Sequence, residues 1–111
     1  MSRKIFQKWD VVLVSLDSTK GSEISKTRPC MIVSPSAVNQ ALTTVIVVPL
    51  TTTQKAYPSR LNTNHKGKAG AFAFDQIRTI DKTRIIKKDG QLDVALRETA
   101  NSILRIMFSE E

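Results

Sequence analysis

Three short β-branched runs fill the first half of this chain, and the hydrophobic period changes only once, near the C-terminus. That order of patterns admits few folds. Residues 11–16 (VVLVSL), 29–34 (PCMIVS) and 43–50 (TTVIVVPL) each have the length and composition of a strand. Pro49, near the end of the third, predicts an edge position or a bulge. Residues 17–27 (DSTKGSEISKT) are small and polar and read as a loop. SPSAVNQ, after the second strand, reads as a turn or a single helical turn. The stretch 51–70 is polar, basic and broken by Pro58 and two glycines. It predicts a short strand around Ser59–Asn62 and a mobile loop around Asn64–Lys68. Residues 71–80 (AFAFDQIRTI) alternate only in part, which predicts a bulged strand, and 84–88 (RIIKK) add a short strand before a turn at Asp89–Gly90. Then Leu92, Leu96, Ala100, Ile103, Leu104 and Met107 recur at threes and fours. This predicts one amphipathic helix over 93–108, with Asp93 as its N-cap. Short strands followed by one terminal helix, without βαβ alternation, define a mainly β chain. It should form a small barrel or curved antiparallel sheet with the helix packed on it.

A chain of 111 residues suits one domain over 1–111. With 41% hydrophobic residues it can build a compact core. No apolar run approaches the roughly 18 residues of a membrane span, and MSRKIFQKWD is not followed by the apolar stretch of a secretory signal. A cytoplasmic protein without membrane contact is expected. A lone cysteine, Cys30, excludes an internal disulfide framework and reads as a small buried hydrophobe. One cysteine and one histidine are too few for a structural zinc site, so no metal and no cofactor are expected. Charge is the positive clue. Seventeen Lys/Arg against ten Asp/Glu leave +7, which favours a polyanionic partner. No acidic residue falls between Glu23 and Asp75, whereas Lys26, Arg28, Lys55, Arg60, Lys66 and Lys68 do. Aromatic residues are only 5%, so stacking platforms for single strands are scarce.

No Walker loop, GxSxG, HExxH or GxGxxG spacing occurs. His65, the only histidine, lies in a polar, basic stretch and reads as a solvated side chain in preference to a catalytic one. The loop before the second strand is richer, with Lys20, Gly21, Ser22, Glu23 and Arg28 within nine residues. Arg28 is either a surface arginine at a strand start, with Pro29 fixing the chain direction, or a phosphate clamp, because its planar guanidinium forks onto two oxygens. Thr51, Thr52 and Thr53 are either a β-prone strand end or a hydroxyl donor placed opposite Arg28.

In order and spacing, these fragments resemble the MazF/PemK family of toxin endoribonucleases. The matching pieces are TKGSE at Thr19–Glu23, TRP at Thr27–Pro29, VSP at Val33–Pro35, VPLT at Val48–Thr51 and DQIRTID at Asp75–Asp81. Together they span nearly the whole chain from about Trp9. The resemblance implies an SH3-like, strongly curved sheet with a C-terminal helix, and a homodimer whose two subunits form an RNA groove. It implies metal-independent cleavage of single-stranded RNA at short sequences, leaving 2′,3′-cyclic phosphate and 5′-hydroxyl ends. It also implies an acidic antitoxin whose disordered tail fills the RNA site, with DNA binding only by the toxin–antitoxin complex. Arg28 matches the family's essential arginine, Thr51 its essential threonine and Glu23 the acid of its GSE motif. Some relatives carry a histidine where this chain has Ser22, and an arginine where it has Ala73, two residues before Asp75. The Arg28/Thr51 form of the mechanism is therefore the one carried over. Trp9 replaces the usual glycine and Ser18 the usual proline, which touches turn geometry only.

RNA supplies its own nucleophile, the 2′-hydroxyl, so such an enzyme needs positioning and charge stabilisation above all. Arg28 can meet charge on the phosphate oxygens, and Thr51 can add a neutral donor. A neutral arginine base is costly, and Arg28 suits the role of proton donor to the leaving 5′-oxygen better. Glu23 is either the general base or a salt bridge orienting Arg28. Lys20, Ser22, Lys55, Arg60, Lys66, Lys68 and Gln76 are candidate RNA contacts. The Asn64–Lys68 loop is a candidate lid or a plain loop. Asn39 and Gln76 could read base edges or be an ordinary turn and sheet residue. Two other readings remain open: a same-fold toxin that binds a protein such as DNA gyrase without cutting RNA, and a non-catalytic SH3-like nucleic-acid module. The presence of both Arg28 and Thr51 favours the nuclease over either.

Overall fold

Seven antiparallel strands and one long helix make up the molecule in a computed structural model that describes residues 5–110. The strands are β1 (Asp10–Ser15), β2 (Thr27–Ile32), β3 (Thr44–Thr51), β4 (Arg60–His65), β5 (Lys68–Ala73), β6 (Arg78–Asp81) and β7 (Ile85–Gln91). A short helix α1 (Ser36–Ala41) links β2 to β3, and α2 (Arg97–Met107) ends the chain. The strands pair in the order β4–β5–β3–β2–β1–β7, with β6 added on the first half of β3.

The apolar runs do not alternate because β1, β2 and β3 are buried on both faces. Val11, Met31 and Val48 join Phe72, Phe74 and Leu92 in a core that Ala100 and Ile103 of α2 cover. Their neighbours Val12, Val14, Cys30, Ile32, Val45 and Val47 point the other way and pack with Phe6, Leu16 and Ile80. Cys30 is fully buried, and that burial pushes its thiol up to about 12, so it is held as the neutral thiol.

Several local expectations need correction. Pro49 lies in a central strand, not at an edge. Its neighbours at 44–47 pair with β6 and those at 50–51 with β5, so Pro49 falls where the outer partner changes and its missing N–H costs no ladder bond. The same change of partner splits the stretch 71–80. β5 ends at Ala73, a 3₁₀ turn takes Phe74–Gln76, and β6 begins at Arg78. The expected loop at Asn64–Lys68 is a tight hairpin. His65 pairs with Lys68, and Lys66 and Gly67 turn the chain with φ of 52° and 81°, the positive values that a two-residue hairpin requires. Asp89–Gly90 is not a turn either. β7 runs through it to Gln91, and because Asp10 pairs with Gln91 and Val12 with Lys88, the two residues bulge opposite Val11 alone. Finally, Asp93 caps a 3₁₀ turn at Val94–Leu96 by accepting from the Ala95 N–H at 3.1 Å, and α2 itself starts at Arg97.

Candidate active site

Arg28 enters β2 beside a polar loop, and that loop is tied down at several points. The Lys26 N–H donates to Asp17 Oδ1 at 3.1 Å. Arg84 donates to the Ser15 carbonyl at 3.3 Å and to that of Asp17. The Gln76 side chain accepts from the Ile24 N–H at 3.2 Å and donates to the Ser22 carbonyl at 3.5 Å. Glu23 closes its own turn, its Oε1 accepting from the Lys20 N–H at 2.7 Å. It forms no ion pair with Arg28, so of the two roles the sequence offered Glu23, the orienting salt bridge is absent among the described residues. Backbone carbonyls orient Arg28 instead. Its Nε donates to Ser25 at 2.9 Å and its Nη1 reaches the Leu50 carbonyl at 3.5 Å. Most of its five N–H donors remain open for a ligand.

The Leu50 contact brings the guanidinium to the end of β3, where Thr51 stands half-exposed. The Thr51 hydroxyl accepts from the Thr53 N–H at 3.0 Å and donates to the Thr53 carbonyl at 3.1 Å. This local turn fixes the oxygen, and the hydroxyl would donate to a substrate by exchanging the Thr53 carbonyl for it. Both residues line a cavity of about 490 Å³. Lys26, Lys66 and Lys68 line it too, which makes its wall strongly cationic. Its carboxylate is Asp89, held by Lys66 Nζ on one oxygen and by His65 Nε2 at 3.0 Å on the other. Those two partners hold the Asp89 carboxyl below the usual carboxylate range.

The structure thus gathers Arg28, Thr51, Lys66 and Lys68 in one cleft and disperses the other candidates. Lys20, Ser22 and Glu23 lie together on the loop, and Gln76 bonds that loop from the 3₁₀ turn Phe74–Gln76. Arg60 and Lys55 face the Tyr57 ring at 5.3 and 5.6 Å. Arg60 also clamps Asp75 with two bonds of 2.7 and 3.0 Å, which holds that carboxyl below its usual range. Asn39 is fully buried and bonds Ser34 and the Phe6 carbonyl, so it cannot read a base. Sequence reasoning missed Lys26, His65 and Asp89 as cleft residues. Lys26 could have been found from its position beside Arg28. His65 is not the solvated side chain expected: it is shielded and bonded to Asp89, and the two gave no sequence signal because they meet only through the fold, between the hairpin tip and β7.

Fold and site together define a small, basic, curled-sheet protein with a terminal helix, whose cationic cleft suits an anionic ligand. Comparison with known proteins narrows the class. Residues 7–108 match the family described as PemK-like, MazF-like toxin of type II toxin–antitoxin systems, and the chain belongs to that family. It is 32% identical over 80 residues to the endoribonuclease toxin MazF of Escherichia coli strain K12, covering 72% of each chain. The fold matches that of a MazF crystal structure from Deinococcus radiodurans, with a TM-score of 0.82 and 20% identity over 95% of this chain and 97% of that one. It also matches a mycobacterial endoribonuclease solved with its cognate antitoxin, with a TM-score of 0.77 and 22% identity over 95% and 98%.

Proposed function

We propose that this toxin is an endoribonuclease that cuts single-stranded RNA through attack of the 2′-hydroxyl, with Arg28 and Thr51 at the reacting phosphate. The observation that carries the reading is their convergence: Arg28, whose Nη1 reaches the Leu50 carbonyl at 3.5 Å, and Thr51, the next residue on β3, line the same cationic cleft. Charge gathers on the non-bridging oxygens as phosphorus becomes five-coordinate, and a preoriented guanidinium and hydroxyl stabilise it most at that moment. Arg28 also stands ready to stabilise or protonate the leaving 5′-oxygen. The products are a 2′,3′-cyclic phosphate and a 5′-hydroxyl. No metal is needed for this chemistry, and the cleft carboxylate Asp89 is already engaged by Lys66 and His65.

Cleavage of mRNA in the cytoplasm would arrest translation. An acidic antitoxin fits the +7 net charge, and its tail would compete with RNA for the cationic cleft; DNA binding then belongs to the complex. The family resemblance and exposed Val38 and Phe108, beside a cavity of about 450 Å³, support a homodimer.

The test is cleavage of a long single-stranded RNA, in EDTA, by wild type, Arg28→Ala and Thr51→Ala. Wild type should cut at one short recurring sequence, and each variant should lose about 10²–10³-fold in rate. A folded, antitoxin-free wild type that makes no cuts would exclude the enzymatic reading.

A further inference from the structure

We propose that His65, held by Asp89, is the general base that takes the proton from the attacking 2′-hydroxyl; this rests on the ribonuclease reading of the cleft. Cleavage needs a group that both accepts and releases a proton near neutral pH. Arginine and lysine remain charged there, and threonine remains neutral. Imidazole is the side chain suited to the exchange, and the chain's single histidine lies on the cleft that holds Arg28 and Thr51.

Its setting is that of an oriented base. His65 Nε2 lies 3.0 Å from Asp89 Oδ2, and both side chains are mostly shielded, at 16% and 11% exposure. The β-bulge at Asp89–Gly90 places that carboxylate under the β4–β5 hairpin tip. Asp89 fixes the tautomer with the proton on Nε2, leaves the Nδ1 lone pair available, and stabilises the imidazolium once it forms, as a carboxylate does for other histidine bases. Among the described residues Nδ1 has no hydrogen-bond partner. The charged groups around the ring are Asp89 on β7, Lys66 at the hairpin turn, Lys68 on β5, and Lys26 and Arg28 on the β2 side; Asp93 lies beyond, across a second cavity of about 280 Å³. The step balances simply. The 2′-hydroxyl proton passes to Nδ1, the 2′-oxygen bonds to phosphorus, and the bond from phosphorus to the 5′-oxygen breaks. The 5′-oxygen takes a proton from water at Arg28, and the imidazolium returns its own proton to solvent.

A purely structural account has His65 closing the barrel, because β4 and β7 are the two ends of the strand path. His65→Gln separates the two roles: glutamine can still donate to Asp89 but cannot exchange a proton. Single-turnover cleavage of an RNA oligonucleotide carrying the mapped site should be followed in EDTA from pH 5 to 9. Thermal unfolding and RNA binding should be measured on the same samples. The wild-type rate should rise through one ionisation in the neutral range. His65→Gln should lose that rise and about 10²–10⁴-fold in rate, with RNA affinity and melting temperature close to wild type. Cleavage by His65→Gln within twofold of wild type, with the same pH profile, would overturn the proposal while leaving the ribonuclease intact. A wild type that does not cut would remove both. Should the variant unfold, the wild-type profile decides, because a rate flat across pH 5.5–8 would overturn the base.

Discussion

A Cβ on Gly70 would stand 2.7 Å from the Thr51 carbonyl oxygen, nearer than carbon and oxygen can sit, so this glycine sets how closely β5 approaches the end of β3. Gly70→Ala should push Thr51 away from Arg28. Overpacking of this kind costs about 1–3 kcal/mol, and a 1 Å displacement of a catalytic group costs about 10²-fold in rate. We therefore expect a lowered melting temperature and a cleavage rate reduced more than the stability loss accounts for, measured at a temperature where the variant is fully folded. Trp9 shows the opposite situation. Its φ is 79°, in the region that favours glycine, which explains why the family pattern has glycine there. The ring nevertheless packs on the core that α2 covers, and Lys8 Nζ lies 4.8 Å from its centroid. Arg28 and Thr51 were legible because each sits inside a short motif of fixed order. The Arg28 partners were not, since backbone carbonyls orient it and these leave no mark in the side-chain sequence.

Among the elements, the β4–β5 hairpin separates basic residues that look alike in the sequence. Lys68 faces the cleft, whereas Arg60, opposite Ala73 at the hairpin's other end, is locked on Asp75 and Tyr57. Single-strand binding weakens with salt by a log–log slope of about −0.7 for each phosphate neutralised. Lys68→Ala should therefore make the slope shallower by about 0.7, and Arg60→Ala should leave it near wild type; fluorescence anisotropy with a catalytically dead background reads both. If Arg60→Ala flattens the slope as much as Lys68→Ala, Arg60 tracks the backbone after all. The strands themselves were legible where β-branched runs are buried on both faces. What escaped were places where pairing overrides local pattern. The Lys66–Gly67 turn looks like a loose basic loop, the Phe74–Gln76 turn exists because β3 changes partner, and Gly90 lies within a strand because β7 bulges against β1.

At the scale of the whole molecule, ionic contacts join elements across the curled sheet, and this ties stability to pH. Asp89 joins β7 to the hairpin tip, and Asp75 joins the 3₁₀ turn to β4. Lys66 and His65 lower the carboxyl pKa of Asp89, and Arg60 and Ser59 lower that of Asp75. Free aspartate titrates near about 3.9. Above that value both groups are ionised in folded and unfolded chains alike, and the folded state keeps the full stabilisation. As the pH falls below about 4, the unfolded chain binds protons first, so stability drops until the lowered folded values are passed. The urea midpoint should therefore decline from pH 4.5 to 3. Asp89→Asn should start lower at pH 6, because Lys66 loses its counter-charge, and should decline less steeply in acid, because one of the linked protons is gone. A variant curve that merely runs parallel to wild type through the acid range would place the linkage in other carboxylates. It would also mean that the barrel's ends are held together by packing rather than by the Asp89 contacts.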